Sequence, residues 1–230
     1  MKQLKSVIVL AALAVLATAS IAFAATITGT TGPDTLVGSP QNDTINGLGG
    51  DDRIFGLGGG DTIDGGSDDD TIDGDGSCPA NQNPYYCQSG GTAGNDRIFG
   101  GSGQDTINGN GGDDRISGQG DDDRLRGNDG NDRISGGSGL DVVSGGAGND
   151  RITGGEGDDK LRGQAGKDKI TGGTGRDIVE AGSGNDTILV RDSARDRVNC
   201  GSGRDLVIAD RRDKIAKNCE RVRFPKRKKR

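Results

Sequence analysis

An aspartate recurs every nine residues through most of this chain: Asp34, Asp43, Asp52, Asp61 and Asp70, then Asp96, Asp105, Asp114, Asp123, Asp132, Asp141, Asp150, Asp159, Asp168, Asp177 and Asp186. Asp196 and Asp205 keep the aspartate phase in the stretch that follows. Carboxylates alone have a narrow chemical range. The 230 residues include no His, so neither a Ser–His nor a Cys–His nucleophile system can be assembled. No segment outside the repeats is long enough for a catalytic domain, and the chain is expected not to be an enzyme. A periodic series of carboxylates can, however, hold cations.

The spacing also dictates the elements that position them. Written in rows of nine from Gly29, the sequence gives five rows, such as GLGGDDRIF from Gly47. It breaks after Asp73 and restarts at Gly91 for eleven more, such as GNGGDDRIS and GGAGNDRIT. Row position six is always Asp, position eight is always Ile, Leu or Val, and Gly or Ala opens every row. Gly at positions one, two and four allows positive φ, so the first six residues read as a tight turn. The last three, x–aliphatic–x, predict a very short strand with its aliphatic side chain on one face. Two rows complete a flattened coil. The sixteen rows then predict eight coils, a rod of about 40 Å at a strand spacing of about 4.8 Å. Its interior is an aliphatic ladder that includes Ile98, Ile107, Ile116, Leu125, Ile134 and Ile152.

Stacking brings each Asp beside the Asp two rows on. Asp96, Asp114, Asp132, Asp150, Asp168 and Asp186 form one file; Asp105, Asp123, Asp141, Asp159 and Asp177 form the other. Residues 34, 52 and 70, and 43 and 61, repeat the scheme before the break. Neighbouring carboxylates repel by about 1 kcal/mol per pair even at a water-like dielectric. Calcium takes about six to eight oxygens from carboxylates and backbone carbonyls, and Gly-rich turns expose carbonyls. Such a site exists only once turns are stacked, so metal binding and folding become one event. The metal-free chain is expected to be largely unfolded.

Composition agrees. Only 29% of residues are hydrophobic and 3% aromatic, too little apolar surface for an ordinary core. The 45 Gly fall short of the one in three that collagen needs, and four Cys are too few for a disulfide scaffold. Residues 29–189 carry a net charge of −17 and residues 190–230 a net of +9. The acidic body excludes nucleic acid as its partner and favours cations. Row position seven mixes Thr with Arg, Lys, Val and Ile, so there is no flat Thr array of the kind an ice-binding solenoid would present.

The rows resemble the RTX, or hemolysin-type, calcium-binding repeats, whose consensus is G-G-x-G-x-D-x-U-x with U a large aliphatic residue. The resemblance covers residues 29–189. It implies an all-β parallel β-roll, a β-solenoid of stacked nine-residue half-coils. It also implies multiple Ca²⁺ ions in the turns on both edges, with the row-six aspartates named above as side-chain ligands. The chain departs from that pattern at Gln41, Asp68 and Asp121, which replace the fourth-position Gly, and at Pro33. RTX toxins usually lack an N-terminal signal and avoid Cys; this chain has an apparent signal and four Cys, which argues against toxin-like export.

The remaining segments complete the expected organisation. Residues 1–24 read as a secretory signal peptide: Lys2 and Lys5, an apolar run from Val7 to Leu16, and Ala22-Phe23-Ala24 at the cleavage point. The mature protein is therefore expected outside the cell with no membrane span. Residues 25–73 and 91–189 are the repeats. Residues 74–90 form an insertion that Cys78 and Cys87 can close, either a recognition loop with Tyr85 and Tyr86 or a plain stapled insertion. Residues 190–220 are degenerate repeats ending in a cap, with Cys200–Cys219 the expected bond among three possible pairings. Residues 221–230 are a basic tail, either a solubilising extension or an attachment to an anionic cell-surface polymer or nucleic acid. Two functions stand: a secreted, non-catalytic, calcium-stiffened module, or an extracellular adhesion or partner-binding protein, its partner unknown, that uses the roll as scaffold.

Overall fold

The computed structural model describes residues 24–75 and 93–225. Among them are twenty-one strands, the first at Thr26–Thr28 and the last at Arg221–Arg223, with no helix. Alternate strands belong to alternate sheets. The odd-numbered strands form an eleven-stranded sheet and the even-numbered strands a ten-stranded one, each in strict sequence order. Every pairing is parallel, and within each unbroken run of repeats a strand pairs with the one eighteen residues on, as in Ile134↔Ile152. The fold is thus a parallel β-solenoid, as the nine-residue rows require.

The core is the predicted ladder. Every position-eight aliphatic from Leu36 to Ile188 is at most 3% exposed. One flank of each inward side chain faces the other sheet and the other two pack on the rungs above and below. Position seven and position nine point outward.

Three expectations are corrected. The rod has about ten coils rather than eight, because a strand forms before Gly29 and the degenerate residues after Val190 supply four more strands. The strands are also longer than three residues in the body of the roll, typically six, as in Arg133–Ser138. They run through positions one to three of the next row, which pair by backbone alone (Gly137↔Gly155, Ser138↔Glu156). Third, the position-one glycines do not take positive φ. Positive φ falls at positions two and four, as in Gly101 (120°) and Gly103 (118°). Position one is Gly for lack of room. A β-carbon on Gly38 would stand 2.5 Å from the Gly56 carbonyl and 2.6 Å from Asp43 Oδ2.

The departures from consensus separate at this level. Asp68 (φ 78°) and Asp121 (φ 73°) are forced into the left-handed region that Gly would occupy freely. Gln41 is not, so its turn takes another form. The insertion leaves the roll intact: Asp61 meets Asp96 and Asp70 meets Asp105, partners 35 residues apart instead of 18. The Cys78–Cys87 bond and residues 1–23 and 226–230 lie outside the described residues. At the other end Cys200 and Cys219 are bonded, as expected. No helix of the described residues is long and apolar enough to cross a membrane.

Candidate metal sites in the turns

All eighteen aspartates of the series lie between the turn and the core, none more than 5% exposed. Position six ends the turn and points inward, like position eight two residues later, because the strand alternates its faces. The solenoid then stacks the carboxylates at strand spacing in two continuous files. One runs Asp34, 52, 70, 105, 123, 141, 159, 177, 196; the other Asp43, 61, 96, 114, 132, 150, 168, 186, 205.

The two oxygens of each carboxylate have different fates. Oδ1 accepts the backbone N–H of the aspartate one coil earlier, at 2.8–3.0 Å along both files; Asp114 N–H to Asp132 Oδ1 is 2.9 Å. The aspartate carbonyl in turn accepts the position-seven N–H one coil on, as in Arg115 to Asp96 at 2.9 Å. Oδ2 has no hydrogen-bond partner and is buried in every one of these residues from Asp52 to Asp205; in Asp34 the orphan is Oδ1. Asp43 is satisfied at both oxygens, by Ala25 N–H and by Ser39.

A buried, unpaired carboxylate oxygen is costly, and the files pay twice because each member faces another. Burial pushes Asp61 and Asp114 up to about 8, with the Asp above and below each adding to the rise. Asp70, Asp123, Asp150 and Asp159 rise to about 7 for the same reasons. The N–H bond to Oδ1 opposes this and does not overcome it.

The orphaned oxygens also lie close to backbone oxygens. A β-carbon on Gly47 would collide with both Asp52 Oδ2 and the Gly65 carbonyl, so the bare glycine lets a carboxylate oxygen and a carbonyl oxygen of the next coil stand on the same side of the turn. The donors are oxygens only, one of them anionic, which suits a hard cation such as calcium. Among the described residues no three carboxylates converge, so an ion held here takes most of its oxygens from backbone. The residues fit the metal that the sequence implies.

Two members of the files were not in the sequence-predicted set. Asp196 N–H donates to Asp213 Oδ1 at 3.2 Å, and Asp205 N–H to Glu220 Oε2 at 2.8 Å, so Asp213 and Glu220 close the two files. Glu220 was legible: Val222 follows it at the spacing that puts an aliphatic two after each aspartate, and pairs with Val207. The glutamate in place of Asp hid it.

Stacked parallel half-coils with inward carboxylate files define a class, the cation-binding β-roll. The family described as RTX calcium-binding nonapeptide repeat (4 copies) matches residues 28–63, 47–77, 90–125, 117–152, 126–161 and 153–188. The chain belongs to the RTX calcium-binding nonapeptide repeat family. Among solved structures it is similar to a hyperactive, Ca²⁺-dependent, β-helical antifreeze protein from an Antarctic bacterium, at 22% identity over 91% of this chain and 68% of that one. The TM-score of 0.38 carries no argument from one to the other. Comparison with curated proteins gives no match.

Proposed function

We propose that this is a secreted, non-catalytic protein that takes up multiple calcium ions through the turn aspartates Asp34 to Asp205 and folds around them. The observation that carries this reading is the orphaned Oδ2 repeated along both files. A fold that buries so many unpaired carboxylate oxygens without counter-charge opposes itself. An oxygen-seeking dication at each turn converts the same atoms into ligands. Export is supported by the apolar N-terminal run and by the Cys200–Cys219 bond, which suits an oxidising compartment. The non-catalytic reading is supported by the absence of His and by the use of the carboxylates in two periodic structural files.

The test is a circular dichroism and calorimetric titration of the mature chain, stripped of metal at neutral pH. Calcium at millimolar level is expected to restore the β signal, with several ions bound per chain, and magnesium is expected to fail because it resists dehydration. Full β structure in chelator, indistinguishable from that in calcium, would refute the reading.

A further inference from the structure

The outward faces of the roll carry a pattern the calcium files do not use. On the odd-numbered sheet, row position seven reads Arg97, Arg115, Arg133, Arg151 and Lys169 on five consecutive rungs, each directly opposite the next. All five are exposed, and none forms a salt bridge among the described residues. Asp113, at the adjoining turn, accepts two hydrogen bonds from Asn131 at Oδ1 and feels the charge of Arg133 without forming a salt bridge to it. Like charges directly opposite one another on a sheet are destabilising, so this file costs stability unless an anion covers it. Two strand positions away runs a second file, Ser117, Ser135, Thr153 and Thr171, in the same register.

The even-numbered sheet supplies the contrast. There position seven alternates Thr106, Arg124, Val142, Lys160 and Ile178. Arg162 is paired with Glu180 at 2.8 Å, and Arg126 donates to Asn108. Between Thr106 and Ile178 its position-seven cations are separated by uncharged residues, and Arg197 and Lys214 stand opposite each other only near its C-terminal end; the odd face runs five cations together without a salt bridge.

We infer that the odd face is a docking surface for a linear acidic polysaccharide, one bearing sulfate or carboxylate groups. The cations repeat at the strand spacing of about 4.8 Å, and an extended pyranose chain advances by about that spacing per sugar. A chain lying along the roll axis meets one cation per rung for its charged groups and one hydroxyl per rung for its neutral ones. Arginine also suits flat, bidentate anions. Single-stranded nucleic acid is disfavoured, because its platforms stack bases on successive aromatics and Phe99 is the only aromatic in these two files. This surface is independent of the turn sites; it needs the roll folded and does not need calcium as a ligand.

The experiment uses the mature chain in calcium, with dextran sulfate and neutral dextran as probes, at several salt concentrations. An odd-face variant carries Arg115→Thr, Arg133→Thr and Arg151→Thr, the residue that Thr44, Thr62 and Thr187 already supply in that column. An even-face variant carries Arg124→Thr, Lys160→Thr and Arg197→Thr, an equal change in net charge. Calcium-dependent circular dichroism confirms the fold of each, and an Arg→Lys version of the odd-face triple stands in should the Thr version fail to fold. The odd-face Thr variant is expected to bind dextran sulfate at least tenfold more weakly, the Lys version to lose part of its affinity, and the even-face variant to stay within about twofold. Equal losses in both triples would mean unspecific charge, and no loss in either would mean calcium bridging through the acidic turns; both overturn the inference. Tighter odd-face binding to phosphatidylserine vesicles than to dextran sulfate would overturn it in favour of a lipid surface.

Discussion

At the residue scale the fold turns on how one carboxylate divides its two oxygens. Asp132 is representative: Oδ1 holds the Asp114 N–H at 2.9 Å and Oδ2 is buried without a partner. The two roles can be separated by substitution. Asp132→Asn keeps an oxygen for the Asp114 N–H and removes the buried charge. In chelator it is expected to be more ordered than the parent chain. In calcium it should need roughly tenfold more metal to fold, the equivalent of about 1.4 kcal/mol. Asp132→Ala leaves the Asp114 N–H unpaired as well and should cost about 1–3 kcal/mol with or without metal. Circular dichroism midpoints in both conditions distinguish the two, and identical behaviour of the variants would show that charge plays no part. The position-one Gly has a comparable lesson. Its identity was legible in the sequence, but its reason was not, because steric exclusion by Asp43 Oδ2 and the Gly56 carbonyl exists only after stacking.

At the scale of the element, legibility follows the source of the signal. The inward aliphatic at position eight and the aspartate at position six announce themselves by type, so strand and file were readable. The extension of strands such as Arg133–Ser138 through positions one to three was not, since those residues pair by backbone and share no apolar or charged identity. The continuity across residues 76–92 was hidden for a related reason: the row count appears broken, yet Asp70 meets Asp105 as if nothing intervened. The files also set a pH response whose sign can be worked out. Burial and neighbouring carboxylates raise Asp61, Asp114, Asp123 and Asp150 from 3.8 to about 7 or 8 in the fold. A group raised on folding stabilises the fold in its protonated form. That stability is complete below about pH 4 and is lost as pH rises through about 7 to 8. The metal-stripped chain is therefore expected to gain β structure on acidification from about pH 8.5 to 4.5. In calcium the dependence reverses, because protons compete for the ligand oxygens, and the calcium midpoint should rise as pH falls. A pH-independent spectrum of the stripped chain would count against cation-demanding files.

At the scale of the whole molecule, a solenoid is stabilised by nearest-neighbour stacking, and its last rung has a neighbour on one side only. The C-terminal end answers this with covalent and apolar closure together. Val198, Cys200, Val207, Ala209 and Cys219 extend the buried ladder, and Ile215 and Val222 pack on it. Asp213 and Glu220 terminate the carboxylate files on the same rungs, so both internal series end inside one cap. The Cys200–Cys219 bond closes a loop whose partners are 19 apart in sequence, which corresponds to about 3 kcal/mol of stabilisation on the chain-entropy account. Because the rungs are coupled in one dimension, loosening this end should not stay local. The double variant Cys200→Ser, Cys219→Ser is expected to raise the calcium midpoint of the whole roll about tenfold or more. Amide exchange should show protection lost first on Arg197–Gly203, Leu206–Ala209 and Arg221–Arg223. Were exchange on those strands unchanged while the midpoint held, the cap would be dispensable, and the stacked calcium turns alone would have to account for the order of the roll.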